Sequence, residues 1–274
     1  MKKAAFIGVG NMGGALARAA CQAVGPEQVV VANRTLAKAE ALAEELGCAV
    51  AKNNADAVRD AEFIFLGVKP HMVASLLESL VPVLAQRHQA GEDKVLVSMA
   101  AGVGLDAMCA HVSGAGYDVP ILRIMPNTCV EVGRGVTALC ARTGVAEAHI
   151  WGVEEILSAS GMVDRVPEEL FDQFSALAGC GPAFVDLFIE ALADGAVSTG
   201  LPRKQAVEYA ARMVLGAAAL VLKSGKHPAQ LKDEVCSPGG STIAGVAELE
   251  RGGLRAAAID AVRAAWKRNG ELGK

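Results

Sequence analysis

Short apolar runs rich in Val and Ile alternate with Ala-rich amphipathic stretches from the N-terminus to about residue 125. The strand candidates are Ala4–Val9, Gln28–Ala32, Cys48–Ala51, Ala61–Val68, Lys94–Met99 and Val119–Met125. Helical patterns fill the gaps at Gly13–Val24, Leu36–Leu46, His71–Leu80 and Leu105–His111. Strands that alternate with helices at this spacing are parallel, because each helix serves as the crossover between them. Near-continuous apolar strands such as Phe63-Ile64-Phe65-Leu66 fit a sheet covered on both faces. The expected fold class is α/β, opening with a doubly wound sheet.

Two further strand-like stretches, Gly135–Cys140 and Gly161–Val166, bracket a helix over Ala146–Leu157. After Pro167 the pattern is helical to the end, with candidates at Glu168–Leu177, Pro182–Thr199, Arg203–Lys223, Pro228–Val235, Thr242–Glu250 and Leu254–Asn269. A chain of 274 residues is about right for two domains. The boundary is expected near residue 166, giving 1–166 and an all-α segment 167–274. Pro182–Thr199 and Arg203–Lys223 are apolar around most of their circumference, so both need burial on nearly all sides. A segment of about a hundred residues has too little interior for two such helices. A second subunit that covers them is the economical expectation, as a homodimer or a ring of dimers; a compact single-chain bundle is the alternative.

The net charge of -4 gives no electrostatic reason to expect nucleic acid or an anionic membrane as partner. Seven cysteines, all more than ten residues apart, form no CxxC pair, so neither a zinc ribbon nor a thioredoxin-like redox site is expected, and no metal is assigned to the site. Scattered cysteines read as small buried hydrophobes kept reduced, which points to the cytoplasm. The apolar run at the N-terminus breaks at Gly8 and Gly10, so it is read as a strand and not a leader. The uninterrupted run Met213–Leu222 falls short of the ~18 residues a membrane span needs. A soluble protein is expected.

Gly8-Val9-Gly10-Asn11-Met12-Gly13 is a GxGxxG motif between a predicted strand and a predicted helix. The first Gly permits the tight turn, the second lets backbone approach a pyrophosphate, and the third allows close helix–strand packing. The helix N-terminus then offers free N–H groups to the phosphates. This is the fingerprint of a Rossmann-type dinucleotide site. An NAD site would place Asp or Glu at the end of the second strand, for the ribose 2′-hydroxyl. Here the residues are Asn33-Arg34-Thr35, with one guanidinium suited to a phosphate, so NADPH is expected and NADH only as a weaker substitute. Val68-Lys69-Pro70 and Met99-Ala100-Ala101 follow the fourth and fifth strands, at the sheet edge where ligands of open α/β folds bind. Ile7 and Asn54 complete the expected cofactor set. Lys69 reads equally well as a surface lysine.

The strongest family likeness lies near the C-terminus. Pro228, Leu231, Val235-Cys236-Ser237-Pro238-Gly239-Gly240-Ser241-Thr242, Gly245-Val246 and Leu249-Glu250 stand at the spacing of a signature. The segment resembles that of the pyrroline-5-carboxylate reductases. Gly8–Gly13, Val68-Lys69-Pro70, Arg123-Ile124-Met125-Pro126-Asn127-Thr128 and Gly200-Leu201-Pro202 match the same family in the same order. The resemblance implies reduction of 1-pyrroline-5-carboxylate to L-proline by hydride transfer from NADPH, the last step of proline biosynthesis. It implies a C-terminal dimerisation domain, and it suggests that Glu168 reaches the substrate. A helix-start carboxylate favoured by the dipole is the other reading of Glu168.

The signature also makes physical sense. Ser237-Pro238-Gly239-Gly240 delivers bare amides to the start of a helix near Ser241 and Thr242, an anion site suited to the carboxylate of a small imino acid. The Thr242 hydroxyl can then stand beside the ring nitrogen as the catalytic contact. Ordinary N-capping by Ser241 or Thr242 is the competing reading. One stretch departs from the family, whose loop usually reads Leu-Ser-Gly-Ser-Gly-Pro-Ala. Here it is Leu177-Ala178-Gly179-Cys180-Gly181-Pro182-Ala183, with both hydroxyls gone. Two rivals stay open: a two-domain NADP-dependent hydroxyacid dehydrogenase and a nicotinamide-binding regulatory protein without chemistry. The first needs a Lys or His as general acid, and residues 167–202 hold neither.

Overall fold

The computed structural model describes residues 1–272. Among these the strands are β1 (Lys2–Ile7), β2 (Val29–Ala32), β3 (Ala49–Val50), β4 (Ala61–Leu66), β5 (Val95–Ser98), β6 (Ile121–Met125), β7 (Gly135–Ala141) and β8 (Gly161–Arg165). They form one sheet in the order β3-β2-β1-β4-β5-β6-β7-β8. The intervening helices are α1 (Asn11–Val24), α2 (Leu36–Leu46), α3 (Asn54–Asp60), α4 (Pro70–Gln89), α5 (Leu105–Val112) and α6 (Glu147–Ile156). β1 pairs in parallel with β2 on one side and β4 on the other, so the chain order reverses at β1. Such a reversal opens a crevice at the carboxyl ends of the strands.

The parallel pairing expected for the first six strands holds, and β7 runs antiparallel to β6, with Met125 opposite Ala138. The segment between them holds only a short 3₁₀ turn, Thr128–Val132, too little chain for a crossover helix. α6 restores a parallel partner in β8. Two apolar layers cover the faces. Phe6, Phe63, Phe65, Leu16 and Ile156 anchor one, and Ile64, Leu66, Leu77, Leu96 and Met108 the other.

Several bounds differ from the sequence reading for identifiable reasons. β1, β4 and β5 end at Ile7, Leu66 and Ser98, which frees Gly8-Val9, Gly67-Val68 and Met99 as loops at the carboxyl edge. α4 continues to Gln89 through Pro82 instead of stopping at Leu80. α3 carries no apolar stripe long enough to announce it; its signal is Asn53, whose side chain accepts from the Asp56 N–H at 2.9 Å as an N-cap. The single helix expected over Glu168–Leu177 is a 3₁₀ turn (Glu168–Leu170), α7 (Phe171–Phe174) and a π turn (Ser175–Gly179). Pro182 has no N–H to return to the Ala178 carbonyl, and that carbonyl accepts from Asn127 Nδ2 at 2.9 Å instead.

Contacts divide the chain into two compact units. The first joins Met1–Gly179 to the C-terminal segment from Trp266, and the second is Cys180–Ala265. The first unit thus runs past residue 166, because Glu168 and Phe171 are tied to β6 and α5. The second unit contains α8 (Gly181–Ser198), α9 (Arg203–Ser224), α10 (Pro228–Val235), α11 (Ser241–Arg251) and most of α12 (Leu254–Leu272). Within α8 and α9 only Ala193, Ala206 and Ala210 are buried, while Leu187, Leu215, Leu220 and Leu222 are exposed. Counting uninterrupted apolar runs understated these segments. Over Glu168–Ser198 and Arg203–Ser224 mean hydropathy reaches 1.5 and 1.3, enough to cross a membrane by length and composition alone.

Candidate functional site

The glycine turn is built by three close approaches of backbone. Gly8 has φ +94°, and its N–H donates to the Ala32 carbonyl at 2.8 Å. A Cβ on Gly8 would lie 2.5 Å from the Gly67 oxygen, and one on Gly13 would lie 2.0 Å from the Gly8 oxygen. Both positions therefore exclude any side chain. Gly10 is different: a Cβ there would meet nothing within 4 Å. Gly10 is also the N-cap of α1 and provides no side-chain cap, so the first-turn amides face open space. A glycine with room around it, before an uncapped helix, is what the diphosphate of a dinucleotide requires.

Beside this turn lies a cleft of about 770 Å³. Of the expected cofactor residues it gathers Ile7, Gly8, Gly10, Asn33, Arg34, Thr35, Asn54, Val68 and Lys69. Asn33 ties the turn to the end of β2: its Oδ1 accepts from the Val9 N–H at 3.3 Å, and its Nδ2 donates to the Thr35 carbonyl at 3.0 Å. Asn11 lines an adjoining hollow with Gly10 and Arg18. Met12 packs against the core and Gly13 is buried, so both shape the turn from behind. Pro70 is the first residue of α4, and Lys69 is its N-cap. Met99, Ala100 and Ala101 follow β5 outside the cleft lining. The amides of Met99 and Ala100 are engaged, donating to the Leu66 carbonyl at 3.4 Å and to Ser98 Oγ at 3.3 Å.

The cleft also contains residues that the motif reading missed: Lys38, Lys52, Asn53, His71, Ser75 and Ser79. Lys38 could have been found by the argument that singled out Arg34, since a cation in the first turn of a helix opposes the dipole. Lys52 leaves no such trace in the sequence. Its place follows from the pairing of β3 with β2, which only the sheet reveals.

Glu168 sits in the first unit with a defined structural job. Its Oε1 accepts from the Leu105 N–H at 2.8 Å and from Arg123 Nη1 at 3.1 Å. The carboxylate thus caps α5, whose own N-cap, Gly104, has no side chain to do so. Arg123 is 6% exposed and lies over the Phe171 ring at 4.6 Å, so Glu168 also compensates a buried charge. Cys140, opposite Arg123 across β6 and β7, has its thiol pushed up to about 12 by burial and by the Glu168 charge. It stays a neutral neighbour of that ion pair at physiological pH.

In the second unit, Gly239 has φ +67° and the Gly240 N–H donates to the Ser237 carbonyl at 3.1 Å, closing the turn before α11. Gly240 is the N-cap and carries no capping side chain. Ser241 and Thr242 are the first two residues inside the helix. N-capping by Ser241 or Thr242 is therefore not what these residues do here. The first-turn amides of α11 are left free, and the Thr242 side chain is exposed beside them. A Cβ on Gly240 would come 2.5 Å from Ser237 Oγ, so any larger residue forces that hydroxyl aside. Cys180, in the loop that departs from the family pattern, is half-buried.

Comparison with known proteins bears on both units. Residues 168–272 match the family model for pyrroline-5-carboxylate reductase dimerisation, and residues 3–102 match that for NADP oxidoreductase coenzyme F420-dependent. Pyrroline-5-carboxylate reductase of Pisum sativum is 39% identical over 268 residues, covering 97% of this chain and 94% of the relative. A solved pyrroline-5-carboxylate reductase from Coxiella burnetii superposes with TM-score 0.88 at 32% identity, covering 100% and 99% of the two chains. The Plasmodium falciparum pyrroline carboxylate reductase with NADP bound gives 0.86 at 29% identity, covering 100% and 98%.

Proposed function

From the premise that the chain belongs to the pyrroline-5-carboxylate reductase family and reduces 1-pyrroline-5-carboxylate to L-proline with NADPH, we propose how its own residues divide the work. NADPH supplies the hydride, which the electrophilic imine carbon accepts. The protein supplies position. The free amides after Gly10 receive the diphosphate, with Asn11 beside them and Met12 and Gly13 fixing the turn. Asn33, Arg34, Thr35 and Asn54 take the adenosine half over β2, with Arg34 on the 2′-phosphate. Ile7 floors the crevice. Val68-Lys69-Pro70 and Met99-Ala100-Ala101, after β4 and β5, take the nicotinamide half.

The substrate carboxylate lies on the free first-turn amides at Ser241 and Thr242, and Ser237, Gly239 and Gly240 form the turn that presents them. The Thr242 hydroxyl orients the ring nitrogen and is the catalytic contact. Glu168 serves the substrate through the α5 cap and the Arg123 pair, in addition to any reach of its free oxygen. A protonated imine is already strongly electrophilic, so positioning outweighs general acid strength. The observation that carries this reading is the uncapped first turn of α11 behind a glycine turn. The protein is a homo-oligomer, and the apolar faces of α8 and α9 support a dimer or a ring of dimers over a membrane span. We place it in the cytoplasm, with dinucleotide work in 1–166 and substrate and assembly work in 167–274.

Gly240→Ala tests the anion site. Moving Ser237 Oγ and crowding the amides should raise KM for the imino acid about tenfold or more, while the Kd for NADPH holds. An unchanged KM in a normally folded variant would place the carboxylate elsewhere.

A further inference from the structure

Two of the seven cysteines meet. α1 and α2 each lead from one parallel strand to the next, so they run in the same direction, and both pack on the same face of the sheet. Arg18 of α1 holds Glu45 of α2 with two bonds, Nε to Oε1 at 2.7 Å and Nη2 to Oε2 at 2.8 Å. Three residues further along each segment stand Cys21 and Cys48. Gly47, at φ +71°, turns the chain out of α2, and the Cys48 N–H returns to the Ala43 carbonyl at 3.2 Å. That turn lays Cys48 against the apolar layer that includes Cys21, and the Cys21 thiol donates a hydrogen bond to the Cys48 sulfur.

The two thiols are unequal. Cys21 is 9% exposed, whereas Cys48 is half-buried and open to small solutes. The bond to Cys48 and burial both push the Cys21 thiol up. Accepting that bond holds Cys48 below the ordinary thiol range, and the nearby Lys2 charge adds to the effect. Lys2 is itself held in place, its Nζ donating to the Glu27 carbonyl at 2.7 Å. Cys109 and Cys140, by contrast, are pushed up by burial. A partly exposed thiol that ionises readily, backed by a second thiol, is the arrangement of an attacking and a resolving cysteine.

We propose that Cys21 and Cys48 are a redox modification site, at which a hydroperoxide installs a disulfide between α1 and the end of α2 and a dithiol removes it. The Cys48 thiolate attacks the peroxide: an S–O bond forms, the O–O bond breaks, and the leaving oxygen takes a proton. The Cys21 sulfur then attacks the sulfenic acid on Cys48. The S–S bond forms, the S–O bond breaks, and the hydroxyl departs as water with the Cys21 proton. The two thiols lose two electrons and the peroxide gains them. The bridge closes residues 21–48 into a loop that contains β2 and α2. It lies in the last turn of α1, far from Gly10, so the first-turn amides of that helix stay open.

The test is hydrogen peroxide treatment of the reduced full-length protein, then alkylation, trypsin without reductant and mass measurement. Cleavage after Arg18, Arg34, Lys38 and Lys52 places Cys21 and Cys48 on separate peptides, 19–34 and 39–52. The expected product is those two peptides joined, lighter by two hydrogens than their sum, with no covalent dimer on a denaturing gel. Dithiothreitol should separate them again. Cys21→Ser should remove the resolving thiol and leave Cys48 as a sulfenic acid that dimedone captures, while Cys48→Ser should leave Cys21 unreacted. The joined peptides from the unmodified protein decide the case even where a variant does not fold. Peptides 19–34 and 39–52 recovered separately, whether alkylated or oxidised, would overturn the proposal. So would Cys48 joined to a cysteine other than Cys21.

Discussion

Leu220→Asp should yield insoluble or unfolded protein in place of a soluble monomer. Leu220 lies on α9 among exposed Met213, Leu215 and Leu222, on a helix in which only Ala206 and Ala210 are buried by the chain itself. The dimerisation family model matches residues 168–272, α9 among them, and in the reading proposed above another copy of this chain covers that face. A carboxylate introduced there enters the interface without a partner. An unpaired buried charge costs several kcal/mol, comparable to the ~5–15 kcal/mol that holds a typical domain folded. The monomer has no refuge, because separating the subunits returns the same apolar surface to water. Ala217→Asp, on the same exposed helix, should behave alike. Sedimentation of expressed protein together with native mass measurement checks this. A well-folded monomer of Leu220→Asp, or of the unmodified chain, would contradict it.

Thr242→Val should lower kcat/KM for the imino acid by about 1–3 kcal/mol, or roughly tenfold to a hundredfold, with little change in melting temperature. The substitution keeps the shape and removes the hydroxyl. In the structure that hydroxyl caps nothing, since Gly240 is the N-cap of α11 and Thr242 is the second residue inside. A residue that served as a cap would instead lose ~0.5–2 kcal/mol of stability with near-normal kinetics. The residues proposed to hold the cofactor lie on other elements, so its Kd should be unaffected. Thermal melts and kinetics on one sample separate these outcomes. A lower melting temperature with unchanged kcat/KM would remove Thr242 from the active site.

Much of this was legible in the residues. Parallel strands buried on both faces must be apolar throughout, so runs such as Phe63–Leu66 announce themselves, and a helix between them leaves no other pairing. Gly8, Gly10 and Gly13 were readable because each meets a different steric demand, and the structure separates them: two positions are closed to any Cβ and one is open. The antiparallel β7 was not legible, since direction depends on whether a crossover fits between two strands, and the pattern of Gly135–Cys140 is the same either way. Lys52 was invisible for a related reason, because its neighbours come from β2 through pairing. Glu168 stands out in the sequence by family likeness and as a helix-start carboxylate, and neither feature points to the contacts it makes. Its partners, Leu105 and Arg123, lie 63 and 45 residues away in sequence, and no local pattern connects them. The loss of hydroxyls at Ala178 and Cys180 is legible but not explained by any contact in the structure.

Reduction of a cyclic imine with NADPH is read out by turnover. Purified protein is given 1-pyrroline-5-carboxylate with NADPH or with NADH, and an open-chain 2-oxo acid with NADPH as control. Proline and oxidised cofactor should appear in equal amounts, faster with NADPH, and the oxo acid should not be reduced, since residues 167–202 hold no Lys or His to protonate a carbonyl oxygen. Oxo-acid reduction without proline formation, or binding of NADPH with no turnover of the imine, would contradict it.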